Sequence, residues 1–326
     1  MFEITEGKIR MNEQKIKDEF RKTMRKNKGN KKAQLITIIF FGLIALAGSI
    51  FGNDFIQNFH SSKLTTSGSS AVTGTLEVSY LDVGQGDSAY IKVNGYDILV
   101  DAGPKSDEDK LLAQLEEKNI DDFEIIIATH PHEDHIGGMK KVFDRYDVEN
   151  FYMPSVTHTT KTFENMVNAV ANEGIKIQTI KEGMSFDLGD GARIDVYSPI
   201  YESYEEFNDY SPIMKLTYGE TELIFTGDAE AHAEADVVAK YPNDLKADVL
   251  KFGHHGSSTS STEEFLQSVD PDYGIISCGV DNKYGHPHKE TLQKISKYNI
   301  QTYRTDKQGQ ITLTSDGKNI SIKTEK

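Results

Sequence analysis

One ten-residue stretch, residues 129–138 with the sequence Thr-His-Pro-His-Glu-Asp-His-Ile-Gly-Gly, constrains this chain more than any other. It places three histidines and an aspartate within six residues, directly after the apolar run 125–128, which predicts a buried strand. A strand that ends in such a loop presents imidazole and carboxylate groups at the edge of a sheet, and these ligands suit Zn²⁺ or Mn²⁺. The stretch therefore predicts metal ligands at His130, His132, Asp134 and His135.

Further histidines and one aspartate extend this set of candidate ligands. Seven of the chain's ten histidines fall at 130–135, 254–255 and 286–288. Asp228 follows the predicted strand 222–226 and is our candidate for a carboxylate shared by two metals. We expect either His254 or His255 to bind a metal, while the other lines the site or contacts substrate. Two cations a few ångströms apart can activate water and neutralise a substrate oxygen, which is the chemistry of a hydrolase.

Other polar residues are predicted to support or complete this site. Asp101 ends the predicted strand 97–100, where a buried carboxylate can accept the free N–H of a ligand histidine; an ordinary strand-ending aspartate is the alternative. Asp82 and Asp87 flank a glycine-rich turn and are expected to shape the mouth of the site. His286 could contact a substrate phosphate or protonate a leaving oxygen, or it could be a structural turn residue. Arg304 could pair with a phosphate or equally with a carboxylate.

From residue 76 onward, short strand-like and helix-like segments alternate. Predicted strands include 76–81, 89–93 and 247–252, and predicted helices include 106–118, 136–145 and 229–240. This order favours an α/β fold in which two sheets carry helices on their outer faces. The single cysteine, Cys278, excludes an internal disulfide, so a domain of this kind must be held by its hydrophobic core.

The amino-terminal part carries the opposite charge and one long apolar run. Residues 1–32 contain 11 Lys/Arg and 5 Asp/Glu, whereas the rest of the chain contains 25 basic and 46 acidic residues. Residues 33–53 are 21 residues without a charge, about 30 Å long as a helix, which predicts a transmembrane anchor. The positive-inside rule then places residues 1–32 in the cytoplasm and the acidic remainder outside the cell membrane.

We therefore expect four parts: a basic cytoplasmic tail at 1–32, a single-pass anchor at 33–53, a flexible Ser/Thr-rich linker at 54–75 and a catalytic domain at 76–326. A cleavable signal peptide is the alternative to the anchor, since Ala45-Leu46-Ala47 fits a small-residue cleavage site. Cleavage would yield a secreted domain.

The order His-x-His-x-Asp-His at 130–135 resembles the signature of the metallo-β-lactamase-like hydrolases. The resemblance implies an αβ/βα four-layer sandwich that holds two divalent metals. His130 and His132 would hold the first metal, Asp134 and His135 the second. Asn208 and Ser211 stand where that superfamily often has a third histidine, so the resemblance implies that one of the two sites is weak.

Six further motifs narrow the resemblance to the metallo-hydrolase domain of bacterial competence (DNA-uptake) proteins. They lie at 81–89, 208–211, 225–230, 251–257, 284–287 and 303–306, and together they cover roughly residues 76–323. The resemblance implies a phosphodiesterase that acts on DNA or another anionic phosphodiester. From the chemistry of such a site we expect Asp134 and His286 to be catalytic residues. The chain looks like a stand-alone, membrane-tethered relative, and its protein partners are open.

The excess of acidic residues after position 32 argues against a long polyanion as the substrate, because like charges repel. A cell-wall phosphoester, such as a teichoic acid or a phosphocholine-bearing polymer, is therefore the alternative substrate. A non-catalytic metal-binding accessory protein in DNA uptake is the alternative of another class. An open metal site would favour an enzyme, and a site filled by protein ligands would favour the structural role.

Overall fold

The structure, a computed structural model, describes residues 2–5, 8–11, 72 and 74–326. Contacts divide the chain into two units, Met1–Ser67 and Gly68–Lys326. In the first unit, β1 (Phe2–Thr5) and β2 (Lys8–Met11) pair as an antiparallel hairpin. The predicted anchor at 33–53 lies outside the described residues. Within the described ranges, none of the helices combines the length and the apolarity that a membrane crossing requires.

The second unit is built from short strands and helices. Its strands are β3 (Leu76–Tyr80), β4 (Ala89–Val93), β5 (Tyr96–Val100), β6 (Asp122–Ile127), β7 (Asp147–Met153), β8 (Ile177–Thr179), β9 (Ser185–Asp187), β10 (Ala192–Val196), β11 (Met214–Tyr218), β12 (Thr221–Phe225), β13 (Val249–Lys251), β14 (Tyr273–Ile276), β15 (Gln301–Arg304), β16 (Ile311–Ser315) and β17 (Ile320–Thr324). Its helices are α1 (Glu108–Glu116), α2 (Glu133–Ile136), α3 (Met139–Arg145), α4 (Lys161–Glu173), α5 (Ala231–Lys240), α6 (Glu263–Val269), α7 (Lys289–Lys297) and α8 (Thr305–Gln308).

The strands form two sheets. The eight-stranded sheet has the order β17-β16-β3-β4-β5-β6-β7-β8, and the seven-stranded sheet has the order β15-β14-β13-β12-β11-β10-β9. Each sheet contains a parallel block, β5 to β8 in the first and β12 to β15 in the second. In the first sheet, β4 and β5 form a hairpin whose turn residues Asn94 and Gly95 both have positive φ, as a two-residue hairpin turn prefers.

Three hydrophobic cores hold these layers together. The central core lies between the sheets and contains Val78 from the first sheet and Leu216 from the second. A second core packs Leu111, Val142 and Met166 of helices α1, α3 and α4 on the outer face of the first sheet. The third core packs helices α5, α6 and α7 on the second sheet. The prediction of a two-sheet α/β fold with outer helices is confirmed.

Strand β6 ends in an unbroken apolar run that continues into Ala128, residues 125–128, and the packing of the strand explains this run. Ile125 and Ile127 face the central core, whereas Ile126 and Ala128 face the helix-side core. Successive side chains of a strand point to opposite faces, so a strand that is buried on both faces needs apolar residues at every position. The histidine-rich loop follows this run directly in the sequence.

The helix predicted at 136–145 is instead two helices, α2 and α3, separated by Gly137 and Gly138. A Cβ atom at Gly137 would collide with the backbone nitrogen of Lys105, and one at Gly138 would collide with the carbonyl oxygen of Ala102. The glycines therefore allow the loop after β5 to pack against the histidine-rich loop. This close approach brings Asp101 beside the predicted metal ligands.

Candidate metal centre

The candidate ligands lie on loops that follow parallel strands. Residues 130–135 follow β6, Asp228 follows β12, and His254 and His255 follow β13. Because parallel strands share a direction, the loops at their carboxyl ends meet along one edge of each sheet. The two sheets face each other across the central core, so ligands from both sheets reach one point.

Asp228 stands at the centre of this cluster. Its carboxylate oxygen Oδ2 has four imidazole Nε2 atoms around it, at 3.2 Å from His135, 3.6 Å from His255, 3.8 Å from His254 and 3.9 Å from His130. The carboxylate is 1% exposed. A buried carboxylate encircled by imidazole nitrogens is the arrangement expected of a group shared by two cations.

Two ligand groups lie close to Asp228. In the first, His130 Nε2 lies 3.0 Å from His132 Nδ1. In the second, His255 Nε2 lies 3.3 Å from Asp134 Oδ2, and His135 is near both groups. The predicted first and second ligand pairs are therefore both assembled in space. Their roles as ligands remain predictions.

Three buried polar atoms without hydrogen-bond partners in the described part of the chain indicate that these residues fit divalent cations. His135 Nε2, His255 Nε2 and Asp228 Oδ1 are buried and have no hydrogen-bond partner among the described residues. Buried polar atoms without a partner are rare and require a physical explanation. Their donor set of imidazole and carboxylate is the one that Zn²⁺ and Mn²⁺ accept, so the site fits such an ion.

Burial and neighbouring charges shift the pKa values of these groups in opposite directions, and a metal must displace the proton of a histidine whose pKa is raised. Burial lowers the pKa of His130 well below its usual value, so its ring is neutral and can coordinate. Burial alone would raise the pKa of Asp228, but the imidazoles of His135 and His255 hold it well below its usual range. Burial alone would lower the pKa of His255, but the carboxylates of Asp228 and Asp87 raise it to about 10. This concentration of acidic groups is a strong electrostatic attraction for cations.

Asp101 holds the histidine-rich loop from behind. Its Oδ2 lies 2.8 Å from His135 Nδ1, and it accepts hydrogen bonds from the backbone N–H of Thr129 at 2.8 Å and from the Thr129 hydroxyl at 2.7 Å. Since Nδ1 of His135 is directed at a carboxylate, its Nε2 is the nitrogen left to face the metal position. Asp101 adopts the left-handed backbone region, with φ of 60°. The structure therefore places Asp101 where the sequence predicted a supporting carboxylate.

An unusual backbone turn presents His254 and His255. Both are left-handed, with φ of 48° and 54°, which is costly for residues that carry a Cβ. The turn brings both Nε2 atoms to Asp228, but the two rings differ in their surroundings. His255 is 1% exposed and joins the ligand groups, whereas His254 is a quarter exposed and lines the cleft. The geometry favours His255 as the ligand, which the sequence had left open.

Asp87, which was expected at the mouth of the site, supports His255 instead, and Lys251, for which no role was predicted, holds Asp87 in place. Asp87 Oδ1 lies 3.3 Å from His255 Nδ1, and Lys251 Nζ donates to Asp87 Oδ2 at 2.7 Å. Both side chains of this ion pair are under 10% exposed. A buried ion pair is costly unless its geometry is good and its partners are satisfied, so this pair indicates a specific positioning role. Sequence spacing could not reveal it, because 164 positions separate the two residues.

His254 is oriented by a second group that the sequence analysis missed. Glu230 Oε1 lies 3.0 Å from His254 Nδ1 and accepts hydrogen bonds from Asn208 Nδ2 and the Thr259 hydroxyl, each at 3.0 Å. Asn208 therefore touches a carboxylate that orients a histidine. Ser211, the other residue predicted at this position, accepts from the backbone N–H of Asp228 at 3.2 Å, and its hydroxyl lies 3.4 Å from His130 Nδ1.

The cluster opens to solvent through a cleft of about 510 Å³. Its lining includes Asp134, Asp228, His254 and His286. The ring of His286 lies 5.4 Å from that of His254, and its Nδ1 is 3.4 Å from Gln85 Nε2. Burial, and then the neighbouring histidines, lower the pKa of His286 to about 4. His286 is therefore neutral at pH 7 and faces the cleft beside the candidate ligands.

Two of the predicted residues lie apart from this cluster. Asp82 pairs with Lys110, 2.8 Å away, and accepts a hydrogen bond from the backbone N–H of Gly84, so its turn holds it toward helix α1 and away from the ligands. Of the two aspartates expected at the mouth of the site, Asp87 lies beside His255 and Asp82 does not. Arg304 forms a two-point ion pair with Asp306, which satisfies the carboxylate alternative.

Comparison with known proteins identifies the family. The Metallo-beta-lactamase superfamily profile matches residues 81–280. The chain belongs to this superfamily. The solved structure of a CmlA β-hydroxylase aligns with a TM-score of 0.50 and 12% identity over 74% of this chain and 54% of that chain, which supports the shared fold alone.

Curated relatives point to one branch of the superfamily. The chain is 33% identical over 253 residues to ComE operon protein 3 of Bacillus subtilis, an alignment that covers 72% of this chain and 32% of that protein. It is 30% identical over 244 residues to Recombination protein 2 of Haemophilus influenzae, covering 73% and 29%. It is 34% identical over 120 residues to Competence protein ComA of Neisseria gonorrhoeae, covering 37% and 17%. The chain thus spans about a third or less of the length of these relatives, and the predicted resemblance to competence proteins is confirmed.

Proposed function

We propose that this protein is a metal-dependent phosphodiesterase. The observation that carries the proposal is the carboxylate of Asp228, encircled by four histidine nitrogens at the base of an open cleft. A purely structural metal site is closed by protein ligands, whereas a catalytic site leaves room for substrate. The open cleft therefore supports an enzyme over a non-catalytic accessory protein.

The residues of the cleft suit phosphodiester hydrolysis. When bound, two divalent cations supply charge neutralisation at a phosphoryl oxygen and activation of water. Asp134, whose carboxylate is 29% exposed and has a pKa below its usual range, orients the attacking water from the cleft side. His286 is neutral and offers a ring N–H to a phosphate oxygen, which agrees better with a donor role than with protonation of a leaving oxygen.

The names of two relatives support a nucleic-acid substrate, and the charge pattern supports a position outside the membrane. Two of them are named for competence or recombination, functions in which DNA is handled. We propose that residues 33–53 anchor the protein in the membrane and that the catalytic domain acts on the outer side, as the charge pattern of residues 1–32 predicts. Secretion after cleavage at 45–47 remains the alternative form of the same proposal.

The test uses the full-length chain in detergent, loaded with Mn²⁺ or Zn²⁺. The substrates are bis-nitrophenyl phosphate and a labelled single-stranded oligonucleotide. We expect cleavage of both, and we expect Asp134→Ala to lower turnover by about 10²- to 10⁴-fold. Asp144→Ala is the matched control, because Asp144 is 60% exposed and pairs with Lys140 away from the cleft.

Each other outcome changes the proposal in a defined way. Cleavage of the small diester without the oligonucleotide would replace DNA by a cell-wall or other small phosphoester. Absence of turnover with either metal, while the protein binds that metal, would contradict the enzyme proposal and support the accessory protein.

A further inference from the structure

The loop at 279–288 exposes an aromatic side chain that the proposed chemistry does not use. Tyr284 is 52% exposed and lines the cleft. Val280, on the same loop, is 70% exposed. Of these two side chains, Tyr284 is the one at the cleft, where its exposed ring is available to a ligand.

Tyr284 is held in place. Its carbonyl oxygen is 3.1 Å from His288 Nε2. The side chain of Asn282 braces the loop, donating to the carbonyl oxygens of Gly279 at 2.9 Å and His286 at 2.7 Å. These contacts hold the backbone that carries Tyr284, so less conformational entropy of the loop is lost when a ligand arrives at the ring.

The ring of Tyr284 continues a series of rings that leads to the metal centre. It stacks on His286 with ring centroids 5.6 Å apart and an angle of 22° between the planes. His286 in turn lies 5.4 Å from His254 and 6.0 Å from His255. A planar group attached to a phosphate at the metal centre would therefore find an aromatic surface beside it.

One cation next to Tyr284 favours a neutral planar ligand over a cationic one. The Lys283 ammonium lies over the Tyr284 ring, 4.9 Å from its centroid, so a base that stacks on this face displaces the flexible lysine toward the attached phosphate. A quaternary ammonium, such as the choline of a wall polymer, would be repelled by this cation although it could otherwise bind an aromatic face. A nucleobase is neutral, stacks on tyrosine, and is joined to phosphates that Lys283 attracts.

We propose that Tyr284 is a stacking platform for the nucleobase next to the phosphodiester that enters the metal centre. This inference rests on the proposed phosphodiesterase function and names the group that the enzyme recognises. The base must be unpaired, because both faces of a base inside a duplex are covered by neighbouring bases. The ligand is therefore a single-stranded nucleic acid or a nucleotide diester.

The chain contains no tryptophan, which allows a direct binding test. Tyr284→Trp places a single fluorescent indole at the platform of the full-length, metal-loaded protein. We expect a phosphorothioate-linked single-stranded oligonucleotide to quench its emission, and an abasic oligonucleotide of the same length to leave it unchanged. Tyr201→Trp is the control, since Tyr201 is 53% exposed and does not line the cleft.

A second variant measures the contribution of the ring. We expect Tyr284→Ala to weaken binding of the base-bearing oligonucleotide by roughly 5- to 150-fold, with little change for the abasic one. A nucleoside nitrophenyl phosphate that quenches Tyr284→Trp as well as the oligonucleotide does would assign the platform to nucleotides as a class. Stronger quenching by the oligonucleotide would assign it to a strand.

The inference fails if base-bearing and abasic strands quench equally, or if Tyr284→Ala weakens both alike. Binding of a phosphocholine diester that depends on Tyr284 would also overturn it. Its failure is distinguishable from failure of the proposed function, because base-dependent quenching without cleavage would keep the platform and remove the enzyme. Cleavage without base-dependent quenching would keep the enzyme and remove the platform.

Discussion

At the scale of single residues, the candidate centre depends on carboxylates that touch the ligand histidines from behind. Asp101 meets His135 Nδ1 at 2.8 Å and also holds Thr129. Asp101→Asn removes the negative charge and replaces one acceptor oxygen by an NH₂ group. This group cannot accept the hydrogen bonds that Thr129 and His135 donate to Asp101. We expect metal affinity to fall by about 10- to 100-fold, measured by competition with a chelator of known affinity.

Asp82→Asn is the matched control for this prediction. Asp82 lies on the same side of the fold but pairs with Lys110 instead of a ligand histidine. We expect its metal affinity to equal that of the unchanged protein. Equal affinity in Asp101→Asn as well would show that Asp101 does not orient His135.

The sequence predicted the ligands at this scale better than the residues that position them. His130–His135 are close in the chain, so their spacing alone brings them together. Asp87 lies on the loop after β3, in the other sheet from β13, which precedes His255. Glu230 contacts His254 although 24 positions of sequence separate them. Which of His254 and His255 is the better-placed ligand depends on a left-handed backbone turn. Two adjacent histidines in a sequence do not predict such a turn.

At the scale of the elements, a buried acid joins helix α5 to the start of helix α6. Glu234 is 0% exposed and accepts backbone N–H groups from Ser261 and Thr262, the latter at 2.8 Å. Thr262 is the N-cap of α6 and accepts from the N–H of Phe265. Glu234 thus fixes the segment that carries Thr259 toward Glu230, next to the candidate centre.

Burial raises the pKa of Glu234 to about 7 from an ordinary value of 4.5. Between these values the folded protein holds the proton more tightly than the unfolded chain, so the contribution of Glu234 to stability is full below pH 4.5 and is lost as the pH rises to 7. At about 1.4 kcal/mol per pH unit, the loss is about 3 kcal/mol. We expect Glu234→Gln to remove this dependence, measured by urea unfolding of both proteins at pH 5 and pH 7.5.

Comparison at each pH separates this effect from that of other groups, because metal release and the remaining carboxylates act on both proteins. Glu263→Gln is the control, since Glu263 is exposed and pairs with Lys297 at the surface. A stability difference between Glu234→Gln and the unchanged protein that is the same at both pH values would contradict the prediction.

At this scale, the periodicity of apolar residues predicted most elements. It failed where contacts between elements determine where an element begins or ends. The regular strand β4 has the bounds that its pattern predicted. The break between α2 and α3 was missed, because a Gly-Gly pair inside a helical pattern does not reveal the backbone that approaches it. Strand β9 was missed because it lies at the edge of its sheet and is mostly exposed.

At the scale of the whole molecule, the distribution of charge limits how the protein can hold a nucleic acid. Residues after position 32 contain 46 acidic and 25 basic residues, and the lining of the cleft contains no Lys or Arg among the described residues. A long basic track that follows a phosphate backbone is therefore absent from this cleft lining. Recognition must rest on the metal centre, on stacking and on few cations such as Lys283.

The small number of cations near the cleft limits how strongly nucleic-acid binding depends on salt concentration. Each phosphate neutralised on a single strand contributes about −0.7 to the slope of log affinity against log salt, so one or two contacts give a slope no steeper than about −1.5. We expect such a shallow slope for a single-stranded oligonucleotide on the full-length, metal-loaded protein, measured by fluorescence anisotropy between 50 and 300 mM salt. Lys283→Ala should make it shallower by about 0.7, because Lys283 is the cation beside the platform. A slope steeper than about −3 would require four or more ionic contacts and would show that the strand follows a basic surface away from the cleft.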